Sequence, residues 1–187
     1  MGLDKKPLSK VENTGALRRL YHTAFPKEEQ MPWWILRLTS LRRDMGVEGF
    51  YEGDRLRGFT HSVATEDVLF LLFFAVNDDC RGQGWGSEIL TKLKAENPGR
   101  TVVLNVELLD PEANNYDQRL RRMAFYKRNG FFDTGYDVDE VGGTFRVLAT
   151  KPVLDVDAYL RAFGKLSFGF WKPYVRKGKD YGSSADA

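Results

Sequence analysis

The sequence is short of the residues from which disulfides and metal sites are built. A single cysteine, Cys80, stands in 187 residues, so no intramolecular disulfide can form. The two histidines, His22 and His61, are isolated from one another and from any metal-ligand spacing. Both read as structural, and no metal is expected. An excess of one charge is missing as well: 28 basic against 26 acidic side chains leave a formal net charge of +2. Such a balance points neither to nucleic acid nor to a membrane surface. Long apolar runs are absent too. The longest, residues 68–76, is too short to cross a bilayer as a helix. Residues 1–10 hold no apolar run fit for a signal peptide, so the cytoplasm is the expected compartment. No internal repeat on the order of 20–50 residues is visible.

What is present describes a globular chain, with 42% hydrophobic and 29% charged residues. Its length suffices for one domain with a real core. Residues 8–11 suit a short first strand. Residues 14–25 read as an amphipathic helix with Leu17, Leu20, Tyr21 and Ala24 on one stripe, stopped by Pro26. Pro32 suits a first helical turn, and residues 33–43 read as a second helix whose apolar face is Trp34, Leu38 and Leu41. The period then changes. Residues 47–52 and 56–64 read as a hairpin around Gly53-Asp54. Residues 68–76 form a nearly unbroken apolar strand, expected to be covered on both faces.

A glycine-rich loop follows, then a helix over 87–96, a strand over 101–107, an acidic loop, a helix over 117–128 and two strands over 131–138 and 144–149. Strand–helix–strand implies parallel pairing of 68–76 with 101–107; the hairpins imply antiparallel pairing elsewhere. The expected fold is α/β (α+β): a mixed, mostly antiparallel central sheet with one parallel pair, flanked by helices. Residues 1–152 are expected to form this domain. Residues 153–187 form a C-terminal extension: a short helix over 156–163 stopped at Gly164, an aromatic segment with Phe168, Phe170, Trp171 and Tyr174, and a polar end from 177 onward expected to be disordered. The aromatic segment packs on its own domain, or serves as a homodimer contact or a lid.

The loop Arg81-Gly82-Gln83-Gly84-Trp85-Gly86-Ser87 joins the buried strand to a helix. Alternate glycines let the backbone turn sharply and approach a ligand. The helix start adds unpaired N–H groups and partial positive charge, and Arg81 adds a formal one. Together they suit a phosphate or pyrophosphate. A P-loop is excluded because no lysine stands in the loop. The dinucleotide pattern G-x-G-x-x-G fits Gly82 and Gly84, but its third position is Ser87; Glu107 falls where that fold wants an acid. A glycine turn without a ligand is the plain alternative.

Arg81, Gly84 and Gly86 match the R/Q-x-x-G-x-G/A signature of the GNAT acyltransferase superfamily, and Tyr126 shortly before Gly130-Phe131 matches its helix-end pattern. The chain resembles that superfamily over about residues 8 to 150. The resemblance implies an N-acetyltransferase of the general acyl-CoA-dependent class, moving acetyl from acetyl-CoA to a primary amine by direct attack. It implies a V-shaped gap between splayed parallel strands. The pantetheine arm of coenzyme A would pair there with the backbone of Phe74, Ala75 and Val76. The pyrophosphate would sit on amides of Arg81, Gly82, Gln83, Gly84, Trp85, Gly86 and Ser87, with the thioester near Tyr126. One position departs. Many relatives carry an asparagine seven residues before the tyrosine; here it is Arg119, with Asn114 and Asn115 lying earlier.

The chemistry needs a neutral amine, an oxyanion donor and a proton for the leaving thiolate. The N–H of Val76 is a candidate for the oxyanion. Tyr126 is the candidate proton donor; reference values make the transfer to a thiolate uphill by about 2 kcal/mol. Glu107, ending its strand beside the gap, is the candidate base. Asp110, Glu112 and Asp117 either attract a cationic amine or form a wetted loop. Arg119, Arg121, Arg122, Lys127 and Arg128 either reach the 3′-phosphate or form a solvated helix face. Trp33 and Trp34 either wall the acceptor cleft or pack in the core. No catalytic role is read for Cys80. The acceptor expected is a small-molecule or peptide amine. The competing functions are a non-catalytic module that binds coenzyme A on the same fold, and a dinucleotide-binding domain.

Overall fold

The structure is a computed structural model that describes residues 2–140, 142–166 and 173–178. The elements are β1 (Asp4–Pro7), α1 (Gly15–Ala24), α2 (Trp33–Thr39), β2 (Met45–Glu52), β3 (Arg55–Ala64), β4 (Val68–Val76), α3 (Trp85–Glu96), β5 (Thr101–Glu107), α4 (Tyr116–Arg128), β6 (Phe132–Glu140), β7 (Gly143–Ala149), α5 (Val156–Leu166) and β8 (Tyr174–Lys177). Among the described residues the strands form one sheet in the order β1-β2-β3-β4-β5-β7-β6-β8. Only β4 and β5 run parallel; every other neighbouring pair is antiparallel. This is the mixed, mostly antiparallel sheet with flanking helices that the pattern of periods predicts. No described helix is long and apolar enough to cross a membrane.

Three hydrophobic clusters hold helices to the sheet. Ile89, Leu90 and Leu93 of α3 and Met123 and Tyr126 of α4 pack on Leu69, Leu71, Val102 and Leu104. On the alternate residues Val68, Phe70 and Val103 lie Ala158, Tyr159, Ala162 and Phe163 of α5. Leu17, Leu20 and Tyr21 of α1 and Leu36 of α2 cover Phe59, Phe73 and Ala75. Side chains alternate across a strand, so α3 and α4 share one face and α5 lies on the other. The near-continuous apolar run of β4 reflects helices on both its faces.

A bulge resets that alternation within β4. Ser62 pairs with Leu71 but His61 pairs with Phe73, which leaves Leu72 as the extra residue. Leu71 therefore faces α3 and α4, whereas Phe73 and Ala75 face α1, and Phe74 and Val76 return to the α3 and α4 face.

Four sequence expectations shift. The first strand is Asp4–Pro7, and Leu8–Lys10 is a 3-10 turn that drops Leu8 into the core. Proline is tolerated here because β1 is an edge strand. The second helix ends at Thr39 and turns Leu36 and Thr39 inward, leaving Trp34, Leu38 and Leu41 66%, 56% and 71% exposed. Two turns of helix support either stripe equally well, so the period alone selects neither. The α5 helix runs through Gly164 to Leu166, because one glycine near a helix end weakens it without stopping it. Tyr174 belongs to β8, which extends the sheet along β6; Phe168, Phe170, Trp171 and the end beyond residue 178 lie outside the described residues.

Candidate acyl-transfer site

The site begins where two strands part. β4 and β5 pair only from Val68↔Thr101 to Phe70↔Val103. Beyond that point each stays bonded to its other neighbour, β4 to β3 as far as Val76↔Gly58, and β5 to β7 as far as Glu107↔Phe145. The two halves of the sheet diverge and leave the inner edge of β4 open. The edge groups follow from the ladder. The Asn77 N–H donates to the Arg57 carbonyl at 2.9 Å, so residues 77, 75 and 73 turn their backbone groups to β3. The backbone groups of Phe74 and Val76 face the gap.

At the end of this edge the chain turns through Asp78–Cys80 into the glycine loop. Gly82 and Gly84 have φ of 76° and 88°, in the left-handed region that glycine adopts without strain. Gly84 is the N-cap of α3, and its carbonyl accepts from Glu88 N–H at 3.1 Å. The N–H groups of Gly84, Trp85, Gly86 and Ser87 accordingly lack partners within the helix. Gly86 has a different reason to be glycine. A Cβ there would lie 3.0 Å from Phe125 Cζ and 3.3 Å from Val76 Cγ2, so its absence lets α3 close onto α4 and β4. Trp85 is buried, with the Arg57 guanidinium 4.9 Å from its ring centroid. Arg57 also donates to Cys80 Sγ at 3.0 Å and to Glu52 Oε2, which anchors the loop to β3. Arg81 is exposed and ion-paired to Asp78 at 2.6 Å.

A cavity of about 1010 Å³ occupies the gap, walled by β4, the end of β5, α4, and the segment between α1 and α2. Of the residues singled out in the sequence, Phe74, Ala75, Val76, Arg81, Gly82, Glu107 and Tyr126 line it. Gln83, Gly84, Trp85, Gly86 and Ser87 lie outside that lining, at the N-terminal end of α3. Tyr126 is buried, edge-on to Phe125 and Phe131 at 5.3 and 5.6 Å. Burial pushes its hydroxyl up to about 12, against a smaller lowering by Arg122. Glu107 is more constrained than a free base. Its Oε1 accepts from Asn115 Nδ2 at 3.0 Å and lies 3.3 Å from the Arg119 guanidinium, while Oε2 accepts from Arg122 at 2.7 Å.

Several site residues were not anticipated. Asn105 of β5 donates through Nδ2 to Glu140 Oε1 and to the Tyr159 hydroxyl, the latter at 2.9 Å. Glu140, Asn105 and Glu29 all line the cavity. Burial raises the Glu140 carboxyl to about 7, with Asn105 opposing and Glu29 reinforcing the shift. Glu29 is raised too, by burial first and then by Glu107. One signal was legible: strand alternation puts Asn105 on the face of Glu107. That Glu140 and Glu29 meet there depends on the sheet order.

The remaining candidates separate cleanly. Arg121 and Arg122 line the cavity, whereas Lys127 and Arg128 are exposed. Arg119 is committed to Asn115 Oδ1 and the Leu108 carbonyl, both at 2.7 Å. Asp110, Glu112 and Asp117 are exposed. Trp33 packs against Tyr21, and Trp34 faces outward. His22 pairs through Nδ1 with Gln30 at 2.6 Å, and His61 is buried beside Phe73. No cluster of three or more metal-ligating side chains occurs among the described residues.

Comparison with known proteins agrees with this geometry. Residues 42–132 match the family of the Acetyltransferase (GNAT) domain. The Bacillus subtilis (strain 168) protein YjbC, an acetyltransferase by name, is 30% identical over 108 residues, 58% of this chain and 46% of its own length. The chain thus spans under half of that relative. A GNAT-family structure from Bacteroides thetaiotaomicron superposes with a TM-score of 0.71 at 22% identity, covering 91% of this chain and 100% of its own. The ribosomal-protein-S18-alanine N-acetyltransferase of Escherichia coli gives 0.60 at 16% identity over 82% and 96%. An aminoglycoside 6′-N-acetyltransferase complexed with coenzyme A gives 0.61 at 15% over 82% and 98%. At such identities the structural likeness is one of fold. The splayed strands, the glycine loop and the family match fall on the same stretch, so residues 42–132 of this chain match a GNAT acetyltransferase domain.

Proposed function

We propose that the protein transfers an acetyl group from acetyl-CoA to a primary amine of a small molecule or peptide, by direct attack of the amine on the thioester, with the cytoplasm as the compartment expected from the sequence. One observation carries this reading: the open edge of β4 faces a cavity and leads directly into the unpaired amides at the start of α3. An edge strand accepts extended amide-bearing groups as another strand would, and a helix N-terminus accepts phosphate. Pantetheine and pyrophosphate are joined in that order in coenzyme A. The superposed aminoglycoside acetyltransferase, which holds coenzyme A, supports the same assignment.

Phe74 and Val76 would hold the pantetheine amides, and the residues from Arg81 to Ser87 the pyrophosphate. The Val76 N–H, aimed into the gap, serves the developing oxyanion. Tyr126 donates to the leaving sulfur. With its hydroxyl near 12, complete transfer to a thiolate is uphill by about 5 kcal/mol. The phenol therefore stabilises the departing thiolate by a hydrogen bond, and its proton moves only as the C–S bond breaks. It is restored from the nitrogen that has become an amide. Glu107, with both oxygens engaged by cations or amide, orients Arg119 and Arg122 of α4.

Calorimetric titration with desulfo-coenzyme A tests the binding half. A thiol-release screen over an amine panel with acetyl-CoA tests the chemistry. No heat of binding would sink the reading. Binding without turnover by any amine would favour a non-catalytic module, and NADH binding without coenzyme A binding a dinucleotide domain.

A further inference from the structure

We propose that Glu140, held by Asn105 across the open end of the sheet and facing Glu29, binds the acceptor amine as an ammonium ion and removes its proton. This rests on the acyltransfer reading and adds the base, which the sequence had placed at Glu107, together with the charge state of the substrate.

The argument starts from where the gap leads. Tyr126 stands on the α3 and α4 face of the sheet, whereas Asn105 alternates with Leu104 and Val106 and looks to the other face. Where β4 and β5 separate, those two faces communicate through the cavity, whose lining includes Tyr126 as well as Asn105, Glu140 and Glu29. A thioester in the gap would have the sulfur's proton donor on one side and carboxylates on the other. Attack from the carboxylate side brings the amine onto one face of the thioester carbonyl, while the sulfur stays within reach of Tyr126.

Among the described residues, the polar groups on that side have no cation paired with them. Glu140 receives Asn105 Nδ2 on one oxygen, and Asn105 Oδ1 is buried with no hydrogen-bond partner among the described residues. Among the described residues, the titratable groups that act on Glu140 from the packed elements are neutral or negative: Glu29 from the segment between α1 and α2, and Tyr159 from α5. On its own strand, neighbouring Asp139 is occupied by Thr144 and Arg176. Arg122 acts on Glu29, not on Glu140, and lies against Glu107. An ammonium ion offers donors to the Glu140 carboxylate and to the orphaned Asn105 oxygen, and its charge relieves the repulsion between Glu140 and Glu29. Glu107 cannot serve in this way, because its oxygens already face two guanidinium groups.

The protons balance. R-NH3+ gives one proton to the Glu140 carboxylate. The free amine attacks the carbonyl carbon, and the C–S bond breaks as Tyr126 supplies the sulfur's proton. The second nitrogen proton restores Tyr126, leaving the amide, CoASH and a protonated Glu140 that discharges to solvent. A carboxyl near 7 accepts the proton about 300-fold more readily than one at the ordinary value of 4.5.

The test uses the full chain, acetyl-CoA and a panel of primary alkylamines and diamines, with kcat/KM measured from about pH 5.5 to 9. Wild type should show an acid limb near pH 7. Glu140→Gln should lose about 100-fold or more in kcat/KM and lose that limb, while Glu107→Gln keeps the limb. Glu140→Asp, which retains a carboxylate, should retain the limb with a smaller loss. Affinity for desulfo-coenzyme A should stay within about twofold in all variants, which shows that the site is folded. A Glu140→Gln enzyme within about threefold of wild type, or one that keeps the limb, overturns the proposal while leaving acyl transfer intact. A wild type that releases no thiol with any amine overturns both.

Discussion

His61 offers the cleanest test of the energetics beneath the site. It lies in β3 between Val47 and Phe73, fully buried, and neither ring nitrogen meets a hydrogen-bond partner among the described residues. Burial alone depresses it from 6.5 to about 4. The folded state therefore stays neutral while the unfolded chain takes up a proton below pH 6.5. Stability is whole above that pH and is lost as pH falls toward 4. For a difference of this size the loss between pH 7.5 and 4.5 is about 2.5 kcal/mol, or roughly 5–10 °C in Tm for a chain of this length. His61→Leu removes the titrating group and two unpaired polar atoms at similar volume. In urea unfolding its stability relative to wild type should rise by about 2.5 kcal/mol from pH 7.5 to 4.5. A relative stability that changes by less than about 0.5 kcal/mol over that span would refute the premise that the ring is neutral and unpartnered.

Glu140 acts over almost the same span with the opposite sign: its carboxyl is raised from 4.5 to about 7, so the fold loses stability as pH rises through that window. Glu140→Gln should therefore gain about 3 kcal/mol on wild type between pH 4 and 8 by denaturant titration, and only difference curves will separate it from His61. Tyr126→Phe should lower kcat by about 10–100-fold with desulfo-coenzyme A affinity unchanged; equal rates in the two enzymes would remove the tyrosine from the mechanism. Gly58→Ala places a methyl against Ile89 and 2.8 Å from the Ala75 carbonyl, on the strand that forms the open edge. It should destabilise by about 2–3 kcal/mol in thermal unfolding and weaken desulfo-coenzyme A binding together with it. Arg146, buried at 1% exposure with Asp137 and Asp133 at 2.7 and 3.0 Å, should cost about 3–5 kcal/mol on change to Ala in the same assay.

Much of this was legible in the order of residues. Hydrophobic period and the Gly53-Asp54 turn set out the succession of strands and helices, because turn geometry and side-chain alternation are local properties. The glycine loop was legible for the same reason: positive φ at Gly82 and Gly84 is a demand of the chain itself. Placing Tyr126 beside the loop needed the family's spacing in addition. Where local signals were degenerate, reading failed. The seven-residue α2 carries two equivalent stripes, and the bulge at Leu72 switches the faces of Phe73 and Ala75 without any residue type announcing it.

What sequence alone determined is the kind of contact each segment makes with its immediate neighbours: the amides left free at the start of α3, the apolar strand that needs cover, the absence of any disulfide. Tertiary structure alone decided which distant side chains share one cavity. Glu107 looked like the base until α4 brought Arg119 and Arg122 onto it, and Glu140, which nothing in the sequence singled out, is set beside Asn105 and Glu29 by the order β5-β7-β6 and the segment between α1 and α2. Acidity depends on solvent exclusion and on charges within a few ångströms, and neither is a property of sequence neighbours.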